Sequence, residues 1–302
     1  MRYASIDIGT NTILMLLADI EDTRIKRIED FYEVPRIGKN VSTSKVLDRD
    51  SIERAMVVLE RYVRIARDHH VDRIIASATS AVREASNRDE FIIPVRDSLG
   101  IDVEVIDGPT EARITFMGAI SDNQSTHIPA MVIDIGGGST EISYGAEAPE
   151  LAKSIDIGAV RITETYFRHN PPHDDELTAG SMFVDKALSA LPFSQISTEK
   201  VFAVAGTATT LALIAQGRYD FDPDAVNNYE MPFDLLKTIF SRLRTMGPGD
   251  IQKLTSAAKG REDVLLAGCL ILVKTLEAAG AKSFFTTDRG LRYGYLLYKH
   301  QQ

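Results

Sequence analysis

The stretch VIDIGGGSTEI, residues 132–142, joins an apolar run to an aspartate, three consecutive glycines, a Ser-Thr pair and a glutamate. An apolar run that ends in small polar residues is typical of a strand followed by a tight turn. Consecutive glycines let backbone N–H groups approach an anion, and the hydroxyls of Ser139 and Thr140 add donors. A tight hairpin alone is the alternative, but it needs only two glycines. The flanking carboxylates, Asp134 and Glu141, therefore favour a loop that binds phosphate and a divalent cation together.

A similar loop lies near the N-terminus. Residues 2–8 and Ile13–Ile20 are apolar and branched, and they flank the short polar turn Gly9-Thr10-Asn11-Thr12. This pattern predicts a β-hairpin. Asp7 closes its first strand just as Asp134 closes the later one. Thr10 and Asn11 would then be phosphate donors, as are the three glycines of the later loop, Gly136, Gly137 and Gly138.

The spacing of these features indicates an internal repeat. Thr79 follows Asp7 by 79 − 7 = 72 residues, and Thr207 follows Asp134 by 207 − 134 = 73 residues. The two intervals are almost the same. Each threonine sits at a junction from strand to helix. We therefore expect two similarly folded α/β halves that face each other across a cleft, although small-residue turns are common enough to pair by chance.

The order of predicted elements agrees with layered α/β domains that contain mixed sheets. The polar stretch Ser121–Ala130 places the boundary, which gives an N-terminal domain of residues 1–125 and a C-terminal domain of residues 126–302. Packing of the last helix on the first domain is an expected option. The main predicted elements are a helix over Ser51–Asp68, a strand over Arg73–Ala78, a helix around Val82, strands over Val103–Ile106 and Met131–Ile135, and a final helix over Asp288–Lys299 with Asp288 as its N-cap.

Composition narrows the class of protein. The chain has 302 residues, of which 44% are hydrophobic and 25% charged, as in globular proteins. Its net charge of −9 argues against a broad nucleic-acid footprint. Cys269 is the only cysteine, the N-terminus lacks a signal-peptide pattern, and the longest apolar run, Val264–Val273, is too short to span a bilayer. We expect a cytoplasmic protein without a membrane segment.

Four further residues are candidates for the site. Glu111 lies in the first turn of a predicted helix, where a glutamate also complements the helix dipole. Gly206 and Thr207 lie at a helix start, where free N–H groups bind anions and where N-capping is an equally good explanation. Arg83 could neutralise an anionic substrate, although arginines on helices are often solvated.

The six histidines show no metal-binding spacing in the sequence. His69 and His70 lie at a helix end, and His169 and His173 flank Pro171-Pro172 in a loop. Each is expected to be helix-terminal or solvated.

Taken together, DIGTNT, DIGGGSTE and AGTATT resemble the phosphate-binding elements of the actin and sugar-kinase superfamily. The finer resemblance is to the exopolyphosphatase and guanosine pentaphosphate phosphatase (Ppx/GppA) family, and it covers essentially the whole chain. It rests additionally on ATSAVREASN from Ala78, TEAR from Thr110, SIDIGAVRITE from Ser154, REDVLLAG from Arg261 and DRGLRYG from Asp288.

The resemblance implies two actin-like (ribonuclease H-like) domains, with mixed sheets flanked by helices and an active site in the interdomain cleft. Glu111 matches the family's catalytic base, while Asp134 and Glu141 match catalytic and metal-binding carboxylates, with Asp7 as a further metal ligand. The matching phosphate contacts are Thr10, Asn11, Arg83, Gly136, Gly137, Gly138, Ser139, Thr140, Gly206 and Thr207. Two departures are Thr110 before Glu111, where a second acid is common, and Tyr293 in place of a glutamate.

The implied activity is Mg²⁺-dependent release of terminal orthophosphate from inorganic polyphosphate, by a hydrolase that acts on phosphoric anhydrides. A monovalent cation such as K⁺ is a further expected cofactor, and a homodimer is an expected option. Longer family members carry an additional helical domain, so this compact chain is expected to prefer shorter polyphosphates. The alternatives are a guanosine pentaphosphate 5'-phosphohydrolase, an ATP-dependent kinase or actin-like ATPase, and a non-catalytic alarmone sensor.

Overall fold

The structure is a computed structural model that describes residues 1–22, 24–122, 128–197 and 199–302. The first half of the chain forms five strands and five helices in the described residues. In order these are β1 (Arg2–Ile8), β2 (Ile13–Glu21), β3 (Arg24–Glu33), α1 (Val41–Ser44), α2 (Arg49–Asp68), β4 (Arg73–Ala78), α3 (Ser80–Glu84), α4 (Asp89–Pro94), which continues into a π-helical turn (Val95–Leu99), β5 (Val103–Val105) and α5 (Gly108–Ile120).

The second half forms six strands and eight helices in the same described part. They are β6 (Ala130–Ile135), β7 (Thr140–Gly145), β8 (Pro149–Ile155), α6 (Ala159–Tyr166), α7 (Asp174–Leu188), β9 (Val201–Val204), α8 (Ala205–Gln216), α9 (Pro223–Val226), β10 (Tyr229–Pro232), α10 (Phe233–Leu243), α11 (Pro248–Ile251), α12 (Leu265–Ala279), β11 (Ser283–Thr286) and α13 (Leu291–His300). Two short 3₁₀ turns, Phe193–Gln195 and Ser256–Ala258, complete this half.

The strands form two mixed sheets. The first has the order β3-β2-β1-β4-β5, and the second has the order β10-β11-β9-β6-β7-β8. In the first sheet, β1 pairs antiparallel with β2 and parallel with β4. In the second, β6 pairs antiparallel with β7 and parallel with β9. The two halves therefore share the strand arrangement around their Gly-containing turns.

Local sequence explains the helices that border the site. Asp48 caps α2 by accepting a hydrogen bond from the backbone N–H of Ser51 at 3.2 Å. Asp107 caps α5 in the same way, from the N–H of Thr110 at 2.7 Å, and Pro109 lies in the first turn, where its missing N–H costs nothing. The cap at Asp107 fixes where α5 begins, and so it fixes the position of Glu111.

Each sheet has its own apolar core, and a third cluster lies between the first sheet and the helices α5 and α13. That cluster brings Tyr3, Leu16 and Ile75 of the first sheet together with Ile114 of α5 and Leu296 of α13. Helix α13 also contacts β1, β2 and β4, while α5 contacts β6, β7 and β8. The last helix of the chain therefore packs on the first sheet, and α5 packs on the second.

The structure differs from the sequence predictions in two places. The helix predicted from Asp288 begins instead at Leu291, because the Asp288 carboxylate pairs with Arg27 at 3.1 Å and does not cap a helix. Strand β3 was not predicted, since its largely exposed residues lack an apolar alternation. The predicted boundary at residues 125/126 lies outside the described residues. In the part of the chain that is described, no helix has the length and apolarity needed to cross a membrane.

Candidate active site

Two equivalent hairpin turns face each other between the sheets. In the β1–β2 turn the N–H of Gly9 donates to the carbonyl of Thr12 at 3.0 Å, and in the β6–β7 turn the N–H of Gly136 donates to the carbonyl of Ser139 at 3.0 Å. Gly136 follows Gly9, and Ser139 follows Thr12, by the same number of residues, since 136 − 9 equals 139 − 12. The two turns therefore repeat in conformation as well as in sequence.

The two turns touch directly. A Cβ atom added at Gly137 would lie 2.8 Å from the Cβ of Thr10, and one added at Gly138 would lie 2.4 Å from the Oγ of Ser80. Side chains at either position would force the two halves apart. The glycines are thus required for contact between the two halves, in addition to any role in exposing backbone to a ligand.

The N-terminus of α6 holds the second turn in place. The backbone N–H of Ala159 donates to the carbonyl of Gly136 at 2.9 Å, and that of Val160 donates to the carbonyl of Gly137 at 2.9 Å. Gly158 precedes this helix, and a Cβ there would lie 2.3 Å from the carbonyl oxygen of Gly137. The conformation of the turn therefore depends on close contact with the helix start.

A cavity of about 110 Å³ opens where the turns meet. Both halves contribute to its wall, and most of the wall is backbone or small polar side chains. The polar lining residues are Asp7, Thr10, Asn11, Thr12, Thr79, Ser80, Glu111, Asp134, Ser139, Thr207, Arg261 and Arg292, with Gly9, Gly136, Gly137, Gly138, Gly206 and Gly290 among the others.

Three carboxylates line this cavity, and a fourth, Glu141, lies next to one of them. Asp7 ends β1, Asp134 lies at the end of β6, Glu141 lies on β7 opposite Asp134, and Glu111 lies in the first turn of α5. Glu111, Asp134 and Glu141 are all buried. Asp7 is more exposed as a residue, but its Oδ1 atom is buried and has no hydrogen-bond partner in the described residues. Such a buried, unpaired oxygen is costly unless a cation or a proton joins it.

Burial raises the pKa of all four acids. Burial, with a smaller contribution from Asp134, raises the pKa of Asp7 to about 7. Burial alone raises the pKa of Asp134 to about 6, and burial with the charge of Asp134 raises the pKa of Glu141 to about 8. Burial and then the charge of Glu141 raise the pKa of Glu111 well above its ordinary value. The negative charges repel one another in a poorly solvated site, so the cluster favours a bound cation.

Arg83 forms an ion pair with Glu111. Its guanidinium donates to Glu111 Oε2 at 2.8 Å and to the carbonyl of Ile106 at 3.0 Å. The side chain does not line the cavity. The structure therefore places Arg83 behind Glu111, away from the position predicted for a phosphate contact.

Two hydroxyls orient the acids. Ser154 on β8 donates to Glu141 Oε1 at 2.6 Å, and the hydroxyl of Thr115 on α5 lies 3.4 Å from Asp134 Oδ2. Glu141 does not itself line the cavity and lies beside Asp134 on the neighbouring antiparallel strand.

The predicted phosphate contacts separate into two groups. Thr10, Asn11, Gly136, Gly137, Gly138, Ser139, Gly206 and Thr207 line the cavity. Thr140 does not, because its hydroxyl is buried and donates to the carbonyl of Ile157 at 2.6 Å. Thr207 lies inside the first turn of α8, which begins at Ala205, so Thr207 is not the N-cap. Ala205 has a φ of 66°, an uncommon conformation for alanine that is concentrated at functional sites.

Two cavity-lining arginines were not given a role from the sequence. Arg261 precedes α12 and forms no ion pair with a carboxylate in the described residues; its guanidinium lies 4.9 Å from the ring of Tyr32. Arg292 is 11% exposed and is held by Asp30 at 2.8 Å. Both lie far along the chain from the glycine turns. Their segments, REDVLLAG and DRGLRYG, carry part of the family resemblance, which is the one sequence signal that identifies them.

The sequence is similar to known phosphatases along most of its length. The model of the Ppx/GppA phosphatase family matches residues 17–302. A relative named "Exopolyphosphatase 2" from Mycobacterium tuberculosis is 32% identical over 284 residues, which cover 90% of this chain and 88% of the relative. A relative from Photobacterium profundum, named "Guanosine-5'-triphosphate,3'-diphosphate pyrophosphatase", is 27% identical over 97% of this chain and 58% of its own length.

A solved structure gives the corresponding result for the fold. The Aquifex aeolicus member of the Ppx/GppA family superimposes with a TM-score of 0.83 and 31% identity, covering 100% of this chain and 98% of that one. The predicted fold of two actin-like domains with mixed sheets is confirmed. The chain belongs to the Ppx/GppA phosphatase family.

Proposed function

We propose that this protein is a Mg²⁺-dependent exopolyphosphatase that hydrolyses the terminal anhydride of inorganic polyphosphate and releases orthophosphate. The observation that carries the proposal is the cluster of buried carboxylates between two facing Gly-containing turns. Hydrolysis of a phosphoanhydride requires positioned water, an acceptor for its proton and donors around the transferred group. The cavity offers candidates for each of these.

Glu111 is the proposed general base. It lies at the cavity wall and its raised pKa brings proton acceptance closer to neutral pH, where general bases are most effective. Arg83 keeps this carboxylate ionised and oriented through the 2.8 Å contact. In the proposed step Glu111 takes a proton from water as the water oxygen attacks the terminal phosphorus, and the shortened chain leaves with the bridging oxygen.

The donor set fits Mg²⁺. The proposed direct ligands are Asp7 and Asp134, and Glu141, which lies outside the cavity lining, would hold the ion through water. All three are oxygen donors of the kind that Mg²⁺ prefers, and the unpaired Oδ1 of Asp7 needs a positive partner. The chemistry that Mg²⁺ supplies when bound is charge neutralisation on the non-bridging phosphoryl oxygens. Backbone N–H groups of both turns, the start of α8 and the guanidinium groups of Arg261 and Arg292 would bind the remaining phosphate oxygens.

The test is the substitution Glu111→Gln, which keeps the shape of the side chain and removes its basicity. Loss of a general base is expected to lower phosphate release about 10²–10⁴-fold. Glu53→Gln is the matched control, because Glu53 is an exposed helix residue whose carboxylate pairs with Arg49. A Glu111→Gln protein that released phosphate at the rate of the control would overturn the assignment.

Guanosine pentaphosphate is the second candidate substrate, and a specific observation favours it. An apolar cavity of about 330 Å³ adjoins the catalytic cavity, and Arg261 and Arg292 line both. Its wall includes Leu14, Phe31 and Phe221. Inorganic polyphosphate has no apolar group to occupy such a space, whereas a nucleoside does.

Phe221→Ala separates the two substrates, with Tyr219→Ala as its control. Both residues are exposed aromatics of the same loop, but only Phe221 lines the apolar cavity. If the cavity binds a nucleoside, Phe221→Ala raises KM for guanosine pentaphosphate and leaves KM for polyphosphate unchanged. If neither value changes, the cavity has no role in substrate choice.

One assay plate distinguishes the remaining alternatives. Phosphate release is measured with Mg²⁺, with and without K⁺, on short polyphosphate, long polyphosphate, guanosine pentaphosphate and ATP. Consumption of ATP only when an acceptor is added would indicate a kinase. Tight binding of a guanosine polyphosphate without phosphate release would indicate a sensor.

A further inference from the structure

A second cluster of potential metal ligands lies on the C-terminal domain, outside the catalytic cavity. It consists of His169, His173 and Glu176, and one ligand atom from each lies within 4.8 Å of the others. None of the three lines the catalytic cavity. The loop between the histidines and the first turn of α7 bring them together, so the spacing is H-x₃-H-x₂-E.

Glu176 is the fixed member of this cluster. Its carboxylate accepts hydrogen bonds from the backbone N–H of Arg168 at 3.1 Å and from that of His173 at 3.0 Å. The backbone N–H of His169 is a third donor, at 3.4 Å. Since each oxygen has two lone pairs, the three backbone donors leave one lone pair, on Oε1, the oxygen that faces the His169 ring. They serve as the outer contacts that hold the ligands in well-formed metal sites.

The two imidazoles are arranged around that carboxylate. His169 Nδ1 lies 3.0 Å from Glu176 Oε1, and the His169 ring stacks on the His173 ring with centroids 3.8 Å apart and an angle of 13° between planes. Ligands of a tetrahedral zinc ion lie about 3.4 Å from one another, from bond lengths of about 2.1 Å. The observed separation of 3.0 Å between the nitrogen and the oxygen is close to this value, whereas the two stacked rings must tilt before their in-plane lone pairs converge on one ion.

The surroundings add the negative charge of Glu262, whereas that of Asp263 is paired with Arg36 at 2.7 Å. A small cavity beside His169 is also lined by Glu262 and Asp263, and Glu262 Oε2 is buried without a hydrogen-bond partner among the described residues. The side chain of His169 is 55% exposed, so an ion can reach it from solvent.

We propose that His169, His173 and Glu176 form a second metal site, for Zn²⁺ or another divalent transition ion that prefers imidazole. Two imidazoles and one carboxylate are ligands of this class of ion, while Mg²⁺ selects oxygen-only sites such as the catalytic carboxylates. The site has three protein ligands and room for water. A bound ion would hold the loop before α7 against the helix. This second site does not depend on the proposed hydrolase activity.

The experiment is a Zn²⁺ titration of the full chain without a histidine tag, in excess Mg²⁺ and against a chromophoric chelator. Wild type is expected to bind one equivalent. His169→Ala and His173→Asn are each expected to weaken Zn²⁺ binding at least tenfold; asparagine is a good N-cap, so α7 can still form. The control is the double variant His69→Asn/His70→Asn, which should bind as wild type does.

A Co²⁺ titration supplies a readout of geometry. Visible absorption bands typical of tetrahedral Co²⁺ should appear in wild type and in the control, and be absent from both site variants. The proposal is overturned if wild type binds no Zn²⁺ in excess Mg²⁺, or if both site variants retain the affinity of wild type.

Discussion

Gly158→Ala tests whether the position of the second glycine turn determines activity. The added Cβ would lie 2.3 Å from the carbonyl oxygen of Gly137 and 2.6 Å from the backbone carbon of Gly138. Ordinary contact begins at 3.4 Å, so the turn must move by about 3.4 − 2.3 = 1.1 Å. No side-chain rotation relieves the contact, because the obstructing atoms belong to the backbone.

The expected effect follows from that displacement. A misplacement of about 1 Å in a positioning element can lower a rate about 10²-fold, equivalent to about 2.7 kcal/mol in activation free energy. Overpacking of this kind also lowers the free energy of unfolding by about 1–3 kcal/mol. The two costs are similar in size, so the rate is measured at a temperature at which the variant remains folded.

Gly247→Ala is the matched control. Gly247 is also an N-cap glycine with extended backbone, but a Cβ there would meet nothing within 4 Å. Any general cost of alanine at an N-cap is thus common to both variants. Initial rates of phosphate release and urea denaturation would be measured for both. If Gly158→Ala retained activity within twofold of Gly247→Ala, the turn would not control the reaction.

Three further predictions concern charge. Arg83→Met should move the acidic limb of the pH dependence of kcat/KM upward by about 1–3 units, because the arginine lowers the pKa of Glu111 and activity requires the ionised carboxylate; an unmoved limb would contradict this role. Mg²⁺ binding at pH 7 should release protons, since without a cation the pKa of Asp7 is about 7 and that of Glu141 about 8. Calorimetry in buffers of different ionisation enthalpy measures the number of protons released. Binding heats that do not depend on the buffer would refute the prediction. Burial acts to raise the pKa of Glu176, but hydrogen bonds, led by that from the backbone N–H of His173, lower the pKa to about 2. The ionised Glu176 carboxylate should therefore stabilise the fold fully above pH 4.5, and this stabilisation should be lost as the pH falls toward 2. Glu176→Gln should flatten the fall of Tm between pH 5 and 3, and equal slopes in the variant and the wild type would argue against this role.

The parts of the site that could be predicted are those encoded in continuous stretches. The two hairpins follow from apolar runs around short polar turns, and their aspartates therefore end up at strand ends. Glu111 was placed correctly at the first turn of a helix because Asp107 and Pro109 mark that start. Three of the four predicted carboxylates line one cavity.

The parts that could not be predicted depend on contacts between distant segments. The partner of Arg83 is 28 residues away, and nothing in its own segment distinguishes an inward guanidinium from a solvated one. Arg292 is fixed by Asp30, 262 residues earlier in the chain. The proximity of His169 to Glu176 depends on how a loop returns to the start of α7, which periodicity does not reveal.

The repeat between the two hairpins is broken at one informative position. Glu141 occupies the place in the second hairpin that Leu14 occupies in the first, since 141 − 14 equals 136 − 9. Leu14 lies in the wall shared by the catalytic and apolar cavities. Two identical turns would form a pseudo-symmetric cleft in which a substrate could lie in either direction with equal energy. Under the proposed function, the exchange of leucine for glutamate would give the cleft a polarity, so that a phosphate chain would have one productive orientation.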